Sequence, residues 1–564
     1  MSRGRLAAKR TAGVAAAPPA AQPARAPGGE PPGEPGGVVI PPAAVITAMA
    51  FGALAAALML ADGVRSTSTA SEITWLVAIL LCLVLAGLGA VGGYRRRAVR
   101  IRWMYVGPWY LIWFGVTFVL GALAWRTQPT STNPIMQTSV VGALMVLGVG
   151  LVAWAAGYLL GPGRLAVAAG RRLAAVVAPE GSWQLRSPAV IWCLFWISVA
   201  ARAVQILTDQ FGYTGNAERL VSTPAATGQM LGLAGQCGQF AVLVAAIDFV
   251  RNRDSRRRWR LLVLLAFEVL VGALDGMRQD FILTVLGLIV VFAVAGAFPW
   301  RSLLAAVLLF VVVYTPYNSA YRTMVRGDER LTSLQAVSVA PSVLRRTLLE
   351  GSSRETVDGS VEVILQRLRL VNSVAIVVQR TPEQVPYKPV TELLAAPVVG
   401  IVPRFVWPDK PVFDGGYRFA QEYYGASSTT YSSAAVTPQG DLYRRGGLLV
   451  VVCGMVVLGM AARLVDRTLH PSRDLRLAVL FVPIFVLLIK SEADVGALAA
   501  SVPTHLAFAV LIARVSFARR RDEPGTPPAG PEQASARPAP APAPRHAAMR
   551  GSGAGAGRRR ADCR

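Results

Sequence analysis

Residues 317–447 combine basic residues with aromatic rings and hydroxyl groups, in a segment too polar to cross a membrane. The densest part is the run 403–411, which contains Arg404, Trp407 and Lys410. Guanidinium groups bind phosphates through two parallel hydrogen bonds, and aromatic faces with hydroxyl groups suit sugars. The combination indicates a surface for a phosphate-linked glycolipid. The alternative interpretation is contact with lipid headgroups, with the prolines serving only as turn residues.

Charged residues also lie within or at the ends of the apolar stretches, where burying a charge in lipid is costly. They are Arg202, Glu268, Asp275, Arg278, Asp280, Lys490, Glu492 and Asp494. Ion pairs such as Arg278 with Asp275, or Lys490 with Glu492, would give these residues a purely structural role. As a set near the outer leaflet, they indicate a polar cavity that opens outward.

Several enzyme classes are excluded by what the chain lacks. Its three histidines are His470, His505 and His546, so segment 317–447 contains no histidine base, and a Ser-His-Asp hydrolase is excluded. No Walker A motif is present, which excludes ATP hydrolysis by that route. The five cysteines show no metal-ligand spacing, and neither a metal nor a cofactor is expected.

Composition places the chain in a membrane. Of its 564 residues, 53% are hydrophobic and only 16% are charged, whereas soluble domains average about 25% charged residues. A disordered regulator would leave too much apolar surface in water. The net charge of +25 does not indicate nucleic-acid binding, because the arginine bias of cytoplasmic loops in membrane proteins explains it better.

Apolar stretches and arginines together predict the topology. The stretches lie at about 43–62, 73–93, 105–125, 138–160, 188–207, 228–250, 261–275, 281–298, 302–317, 447–464, 475–490 and 495–514. Loops 94–104, 161–187 and 251–260 contain fifteen arginines, against four in the alternate short loops. The arginine-rich loops should therefore face the cytoplasm.

The predicted fold class is an all-α polytopic membrane protein with about 12 transmembrane helices and one large extracytoplasmic loop between spans 9 and 10. The predicted organisation is a disordered cytoplasmic tail (1–38), spans 1–9 (39–316), the large loop (317–447), spans 10–12 (448–515) and a disordered, basic cytoplasmic tail (516–564). Both termini are expected in the cytoplasm. Within the loop, 361–378 is predicted to form an amphipathic helix on the membrane surface, and the apolar stretch around 395–402 is too short to span.

These features resemble the Wzy-type O-antigen or oligosaccharide repeat-unit polymerases of bacteria. The resemblance covers roughly residues 260–460 and includes a Pro-Arg-aromatic-x-Trp-Pro-x-Lys-Pro-like run at 403–411. It continues through Thr437, Gly440, Asp441, Tyr443 and Gly446 at the entry to the next span. The turn Gly276-Met277-Arg278 and Arg367 also look like positions of that family.

The resemblance implies an enzyme of the cell envelope that works on the outer face of the cytoplasmic membrane, without a cofactor. The growing chain would pass from undecaprenyl diphosphate to a new lipid-linked oligosaccharide, and lipid diphosphate would leave. Fixed cations can stabilise that leaving group without a metal, and a carboxylate would help to deprotonate the acceptor hydroxyl. A flippase and a chain-length regulator are expected partners besides the lipid-linked substrate and membrane lipid.

Two sets of residues follow from the resemblance. The catalytic set is Arg278, Arg404, Lys410, Arg418, Asp409 and Asp441, and the substrate-binding set is Arg322, Arg367, Trp407, Tyr423, Tyr443 and Glu492. Asp414 and Glu422 are further candidates for the carboxylate.

Two alternatives to a polymerase stay open. One is another polyprenyl-linked-sugar glycosyltransferase or a ligase, although O-antigen ligases typically carry a histidine in the large loop. The other is a transporter or flippase, which should show internal repeats.

Overall fold

The structure, a computed structural model, is mostly helical. It describes residues 38–40, 69–92, 94–95, 98–101, 104–123, 137–212, 225–276, 278–296, 300–325, 331–350, 369–402, 406–407, 410, 415–426, 434–490, 492 and 494–519. The chain divides into two units, Met1–Ala518 and Arg519–Arg564, and every element named below lies in the first unit except the last residue of the final strand.

The elements before the large polar segment are mainly long helices. They are β1 (Val38–Ile40), α1 (Thr69–Gly92), β2 (Tyr94–Arg95), β3 (Ala98–Ile101), α2 (Val106–Phe114, continued by a π-helical turn at Gly115–Leu120), α3 (Gln137–Leu160), α4 (Arg164–Val177), β4 (Trp183–Leu185), α5 (Pro188–Leu207), α6 (Ala225–Asn252), α7 (Ser255–Asp275), α8 (Arg278–Val294) and α9 (Trp300–Leu309, continued by a π-helical turn at Phe310–Tyr314). β1 and β2 both pair antiparallel with β3.

The remaining helices are shorter until the last three apolar stretches. They are α10 (Thr315–Val325), α11 (Ser333–Glu350), α12 (Val371–Arg380), α13 (Thr391–Ile401), α14 (Gly415–Tyr424), α15 (Pro438–Tyr443), α16 (Gly447–Thr468), α17 (Ala478–Ile489, after a 3₁₀ turn at Leu475–Leu477) and α18 (Val495–Ser516). A final strand, β5 (Phe517–Arg519), pairs with β4.

Seven helical segments within the described ranges are long and apolar enough to cross a membrane, which confirms an all-α membrane protein. They are Glu72–Gly92, Val106–Leu123, Thr138–Leu160, Pro188–Leu207, Thr227–Asn252, Gly447–Thr468 and Val495–Ser516. Shorter apolar helices lie at Thr284–Val294, Thr391–Ile401 and Leu475–Ile489. The count of twelve spans, the identity of the membrane and the side of each terminus stay predictions, and stretch 43–62 lies outside the described residues.

Helices α3 and α16 pack with their backbones in contact. A Cβ atom at Gly157 would overlap the carbonyl of Val456, and one at Gly459 would overlap the carbonyl of Trp154. Helices in lipid gain little from the hydrophobic effect against one another, so association depends on such close approach of small residues. Residues of both helices belong to the buried helical core.

Helix α12 packs against α3 and belongs to that core. Val371, Val374, Ala375 and Val377 are fully buried. The expectation that this part of 361–378 lies on the membrane surface is therefore wrong, and residues 361–368 lie outside the described ranges. The amphipathic pattern is present, but its apolar face is covered by protein rather than by lipid.

A buried ion pair joins two neighbouring helices. Arg202 on α5 donates two parallel hydrogen bonds to the carboxylate of Glu268 on α7, of 2.7 and 2.9 Å. Both side chains are buried, and a Cβ atom at Gly238 on α6 would overlap the Glu268 carboxylate. The two buried charges therefore neutralise each other.

We expect Arg202→Leu to destabilise the protein by about 3–5 kcal/mol, because it leaves the Glu268 carboxylate buried without its partner. The double variant Arg202→Leu, Glu268→Leu removes both charges and should recover most of that loss. Thermal unfolding of the purified protein in detergent measures both variants. Equal destabilisation of the single and the double variant would show that Arg202 does not neutralise the Glu268 carboxylate.

Candidate functional site

An open cavity of about 440 Å³ lies between α6, α13 and α18. Its polar lining consists of Gln229, Gln236, Lys410, Ser501, Thr504 and His505, and its small or apolar lining of Gly232, Leu233, Val399, Gly400, Ala497 and Ala500. Helices α6 and α18 contain candidate membrane spans, whereas α13 and Lys410 belong to the polar segment 317–447. The cavity is thus built jointly by the membrane helices and by that segment.

Helix α13 lies alongside α18. Gly400 lets the two backbones meet, since a Cβ atom there would overlap the carbonyl of Ala500. On the opposite side, Leu394, Val398 and Ile401 are exposed. A short apolar helix beside a span, with an exposed apolar stripe, is suited to contact with lipid chains.

The end of α13 has its carbonyl groups satisfied by side chains. The Lys410 ammonium donates to the carbonyl oxygens of Val399 and Val402, at 3.0 Å each. The Thr504 hydroxyl donates to the carbonyl of Gly400, at 2.8 Å. Unpaired buried backbone groups are costly, so these bonds allow the helix to end beside α18. They also hold a buried cation at the cavity wall.

His505 connects this cavity to a second one. A smaller cavity, of about 60 Å³, lies between α6, α8 and α17, and its polar lining includes Gln239, Thr284 and Lys490. His505 and Gln236 line both cavities. The imidazole Nδ1 lies 2.8 Å from the carbonyl oxygen of Ser501. Because a carbonyl only accepts hydrogen bonds, Nδ1 carries a proton there.

A separate buried ionic cluster joins α15 to the start of α18. One Asp441 oxygen accepts from Arg444 at 2.6 Å and from Arg445 at 3.3 Å, and the other accepts from the backbone N–H of Val495 at 3.0 Å. Asp494 accepts from Arg444 at 2.9 Å and caps α18 through the backbone N–H of Ala497. Both Asp441 oxygens are engaged in this packing, which gives the residue a structural position.

Burial and neighbouring charges shift the titration of the cluster. Burial raises the pKa of Asp494, and the carboxylate of Asp441 adds to that rise. For Arg444, burial acts to lower the pKa, but Asp441 and Asp494 outweigh it, so the pKa of its guanidinium is raised. The arginine therefore stays charged inside the protein and holds the two aspartates together.

The predicted turn at Gly276–Arg278 is bound by helix α10. The carbonyl of Gly276 accepts from Asn318 at 2.9 Å and from the predicted substrate-binding residue Arg322 at 2.8 Å. Tyr321 donates to the carbonyl of Leu274 at 2.9 Å. These bonds satisfy carbonyl groups that the end of α7 leaves without helical partners. The structure thus brings Arg322 to Gly276, the first residue of the predicted turn.

The other predicted residues occupy varied positions. Arg367, Arg404 and Asp409 lie outside the described residues, as does Asp414, and for Arg278 only the backbone is described. Among the described ones, Lys410 lines the large cavity, whereas Arg322, Trp407, Arg418, Tyr423, Asp441, Tyr443 and Glu492 are not part of its lining. Arg418 and Trp407 are exposed, and Tyr443 and Glu492 are half-buried.

Tyr423 is fully buried in α14, and its hydroxyl lies 2.7 Å from that of Thr381. Burial raises the pKa of Tyr423. Neither face of its ring is open to a sugar in this arrangement, because the ring packs among core residues. Its place in the protein is that of a core aromatic residue.

Comparison with known proteins finds one family. Residues 221–498 match a family model described as a domain of unknown function, DUF8712. The chain is similar to that family. No curated protein matches it, and no solved structure matches it. The matched range includes α6, α13, Lys410 and the ionic cluster, and it ends before His505.

Of the polar residues that line the cavity, sequence reasoning identified Lys410 and missed Gln229, Gln236, Ser501, Thr504 and His505. Their polar side chains within apolar stretches were the available signal, because such residues tend to face a cavity or a partner. Among the described residues, no group of three or more histidine, cysteine, aspartate or glutamate side chains could hold a metal ion.

Proposed function

We propose that the protein is a membrane glycosyltransferase that polymerises undecaprenyl-diphosphate-linked oligosaccharide repeat units on the outer face of the cytoplasmic membrane. The growing chain passes to a new lipid-linked unit, and lipid diphosphate leaves. This resembles the activity of the Wzy-type polymerases, and the enzyme works together with a flippase and a chain-length regulator.

The cavity beside α18 is the observation that supports the proposal. It combines a cation, amide groups and hydroxyl groups with an adjoining helix whose apolar stripe is exposed. A lipid-linked saccharide has the matching chemistry, with an anionic diphosphate between a polar sugar and an apolar chain. Lys410 is suited to bind the diphosphate, and Gln229 and Gln236 are suited to bind sugar hydroxyls.

The remaining predicted residues keep in the proposal the roles that the resemblance implies. Arg278, Arg322, Arg367, Arg404 and Arg418 supply further positive charge for the diphosphate. Trp407 and Tyr443 offer ring faces to sugars, and Glu492 offers a carboxylate. Asp409 stays a proposed base, whereas the engaged oxygens of Asp441 favour a supporting role for that residue.

A transporter for the same lipid-linked saccharides is a second candidate. Three helices around the two cavities contain an internal proline, at Pro397, Pro483 and Pro503, which removes one backbone hydrogen bond from each helix. Helices weakened in this way at a central polar site would suit the gating movements of a transporter. Such a protein would move lipid-linked units across a bilayer without forming a new glycosidic bond.

Reconstitution separates the two candidates. We expect purified protein in vesicles, supplied with lipid-diphosphate-linked repeat units from the source cells, to form multimers and release lipid diphosphate without added nucleotide. Lys410→Met should lower that rate at least about tenfold, because a charge-assisted hydrogen bond contributes about 1.5–3 kcal/mol. Gel electrophoresis and mass spectrometry measure the products.

The matched control is Lys388→Met, which removes a lysine paired with Glu422 at the protein surface. This variant should keep close to the parent rate. Lys410 also donates hydrogen bonds to carbonyl groups of α13. Thermal unfolding of both variants therefore shows whether a lower transfer rate comes from a loss of stability. Transbilayer movement without new bonds would favour the transporter, and an unchanged rate in folded Lys410→Met would remove that residue from the site.

A further inference from the structure

We propose that Nε2 of His505 accepts the proton of the acceptor sugar hydroxyl during chain transfer. The inference rests on the proposed function and assigns the general base within that site. Histidine is a common general base, and segment 317–447 contains none. The structure instead places a histidine of the last span in the cavity lining.

One hydrogen bond fixes the tautomer of His505. Nδ1 donates a hydrogen bond to the carbonyl oxygen of Ser501, one helical turn earlier, at 2.8 Å. In the neutral imidazole the proton then resides on Nδ1, and Nε2 is the atom with a free lone pair. The backbone carbonyl thus orients the ring and selects the tautomer in which Nε2 can accept a proton.

The surroundings of His505 suit a polar ligand rather than an apolar core. The residue lines both cavities together with Gln236, with Lys410 in the wider one and Lys490 in the smaller one. His505 itself is only half-buried. A saccharide hydroxyl in the wider cavity can therefore approach the ring while a cation of the same cavity binds the anionic part of the donor.

The reaction step balances without a further reactant. The acceptor oxygen forms a bond to the anomeric carbon of the donor as the bond from that carbon to the diphosphate oxygen breaks. The electron pair of the broken bond leaves with lipid diphosphate, and the hydroxyl proton moves to Nε2. The proton then passes to water, which returns the neutral imidazole.

Two substitutions separate proton transfer from a structural role. His505→Asn places an amide N–H near the position of Nδ1, so it keeps the donor to Ser501 but lacks Nε2. His505→Gln reaches the position of Nε2 with a hydrogen-bonding group but loses the Nδ1 donor. Neither side chain accepts a proton at neutral pH. We expect both variants to lose at least about 100-fold in transfer rate.

The same vesicle assay, run across pH, measures the rates of both variants. Binding of undecaprenyl diphosphate should stay within about threefold of the parent protein in both, because Lys410 remains. The parent rate should fall at acidic pH, because a protonated imidazole cannot accept the proton of the hydroxyl group. That acidic limb should be absent from the residual activity of the variants.

His470→Gln is the matched control. His470 follows the end of α16 and lines neither cavity, and its Nδ1 contacts the Ser472 hydroxyl. It should retain the transfer rate per folded molecule.

Activity of His505→Asn within tenfold of the parent would show that only the Ser501 bond matters and would overturn the proposal. Activity of His505→Gln within tenfold would overturn it equally. A parent protein that transfers no sugar would instead refute the proposed function itself, and this inference with it.

Discussion

Asp441→Asn is expected to destabilise the protein by about 3–5 kcal/mol, the range for removing one partner from a buried ionic network. Its two carboxylate oxygens accept only from N–H donors: those of Arg444 and Arg445 on one side, and that of Val495 on the other. An amide has one acceptor oxygen and one NH₂ group. In either orientation, the variant therefore places a donor against a donor in a site that water does not reach.

Thermal unfolding of the purified protein in detergent measures this loss. The control is Glu422→Gln, the same chemical change at an acid that pairs with Lys388 near the surface at 2.7 Å. Exposed pairs contribute at most about 1 kcal/mol, so this variant should unfold close to the parent temperature. If Asp441 were instead the base of the transfer reaction, Asp441→Asn would be as stable as Glu422→Gln and would lack activity.

The positions of the helices could be predicted from the sequence to a large extent. The stretches at 73–93, 138–160 and 188–207 coincide closely with α1, α3 and α5, because a run of about 20 apolar residues is needed to cross a bilayer. The amphipathic pattern of 361–378 also marked a real helix, α12, in its second half. A pattern shows that a face is apolar but not whether lipid or protein covers it, and here protein does.

The pairing of charges could not be predicted in the same way. Arg202 and Glu268 were recognisable as costly intramembrane charges, but they are 66 residues apart, and their bond depends on how α5 and α7 pack. The same holds for Asp441 and Asp494, which meet through Arg444 across an entire helical hairpin. Sequence spacing predicts contacts such as that between Asp441 and Arg444, three residues apart. The contacts of Arg202 with Glu268 and of Arg444 with Asp494 arise instead from the tertiary fold.

The cavity could not be predicted from the sequence for a related reason. Its walls come from three regions, near Gln236, Lys410 and His505, that are far apart in sequence. The polarity of segment 317–447 predicts a loop, yet its α13 lies along α18. Its apolar stretch is too short to span, but a helix can lie beside a span without crossing the membrane, provided that its end is hydrogen-bonded.

The close contact between α13 and α18 yields the second large effect. Gly400→Ala should destabilise the protein by about 1–3 kcal/mol, the usual effect of overpacking, and should abolish most of the proposed transfer activity. The added methyl group overlaps the carbonyl of Ala500. Because that oxygen belongs to a helical backbone, no side-chain rotation can relieve the overlap. Helix α13 must move away, which breaks the bond from Thr504 and shifts the cavity wall that holds Lys410.

Gly228→Ala on α6 is the matched control. The nearest atom to its added methyl group is the Gln210 side-chain oxygen at 4.0 Å, so nothing must move. Alanine is also the better helix former by up to about 1 kcal/mol, so this variant should be at least as stable as the parent and as active. Thermal unfolding and the vesicle transfer assay compare the two alanine variants directly. Equal behaviour of Gly400→Ala and Gly228→Ala would mean that α13 does not rest on α18. The cavity would then lose the wall that carries Lys410.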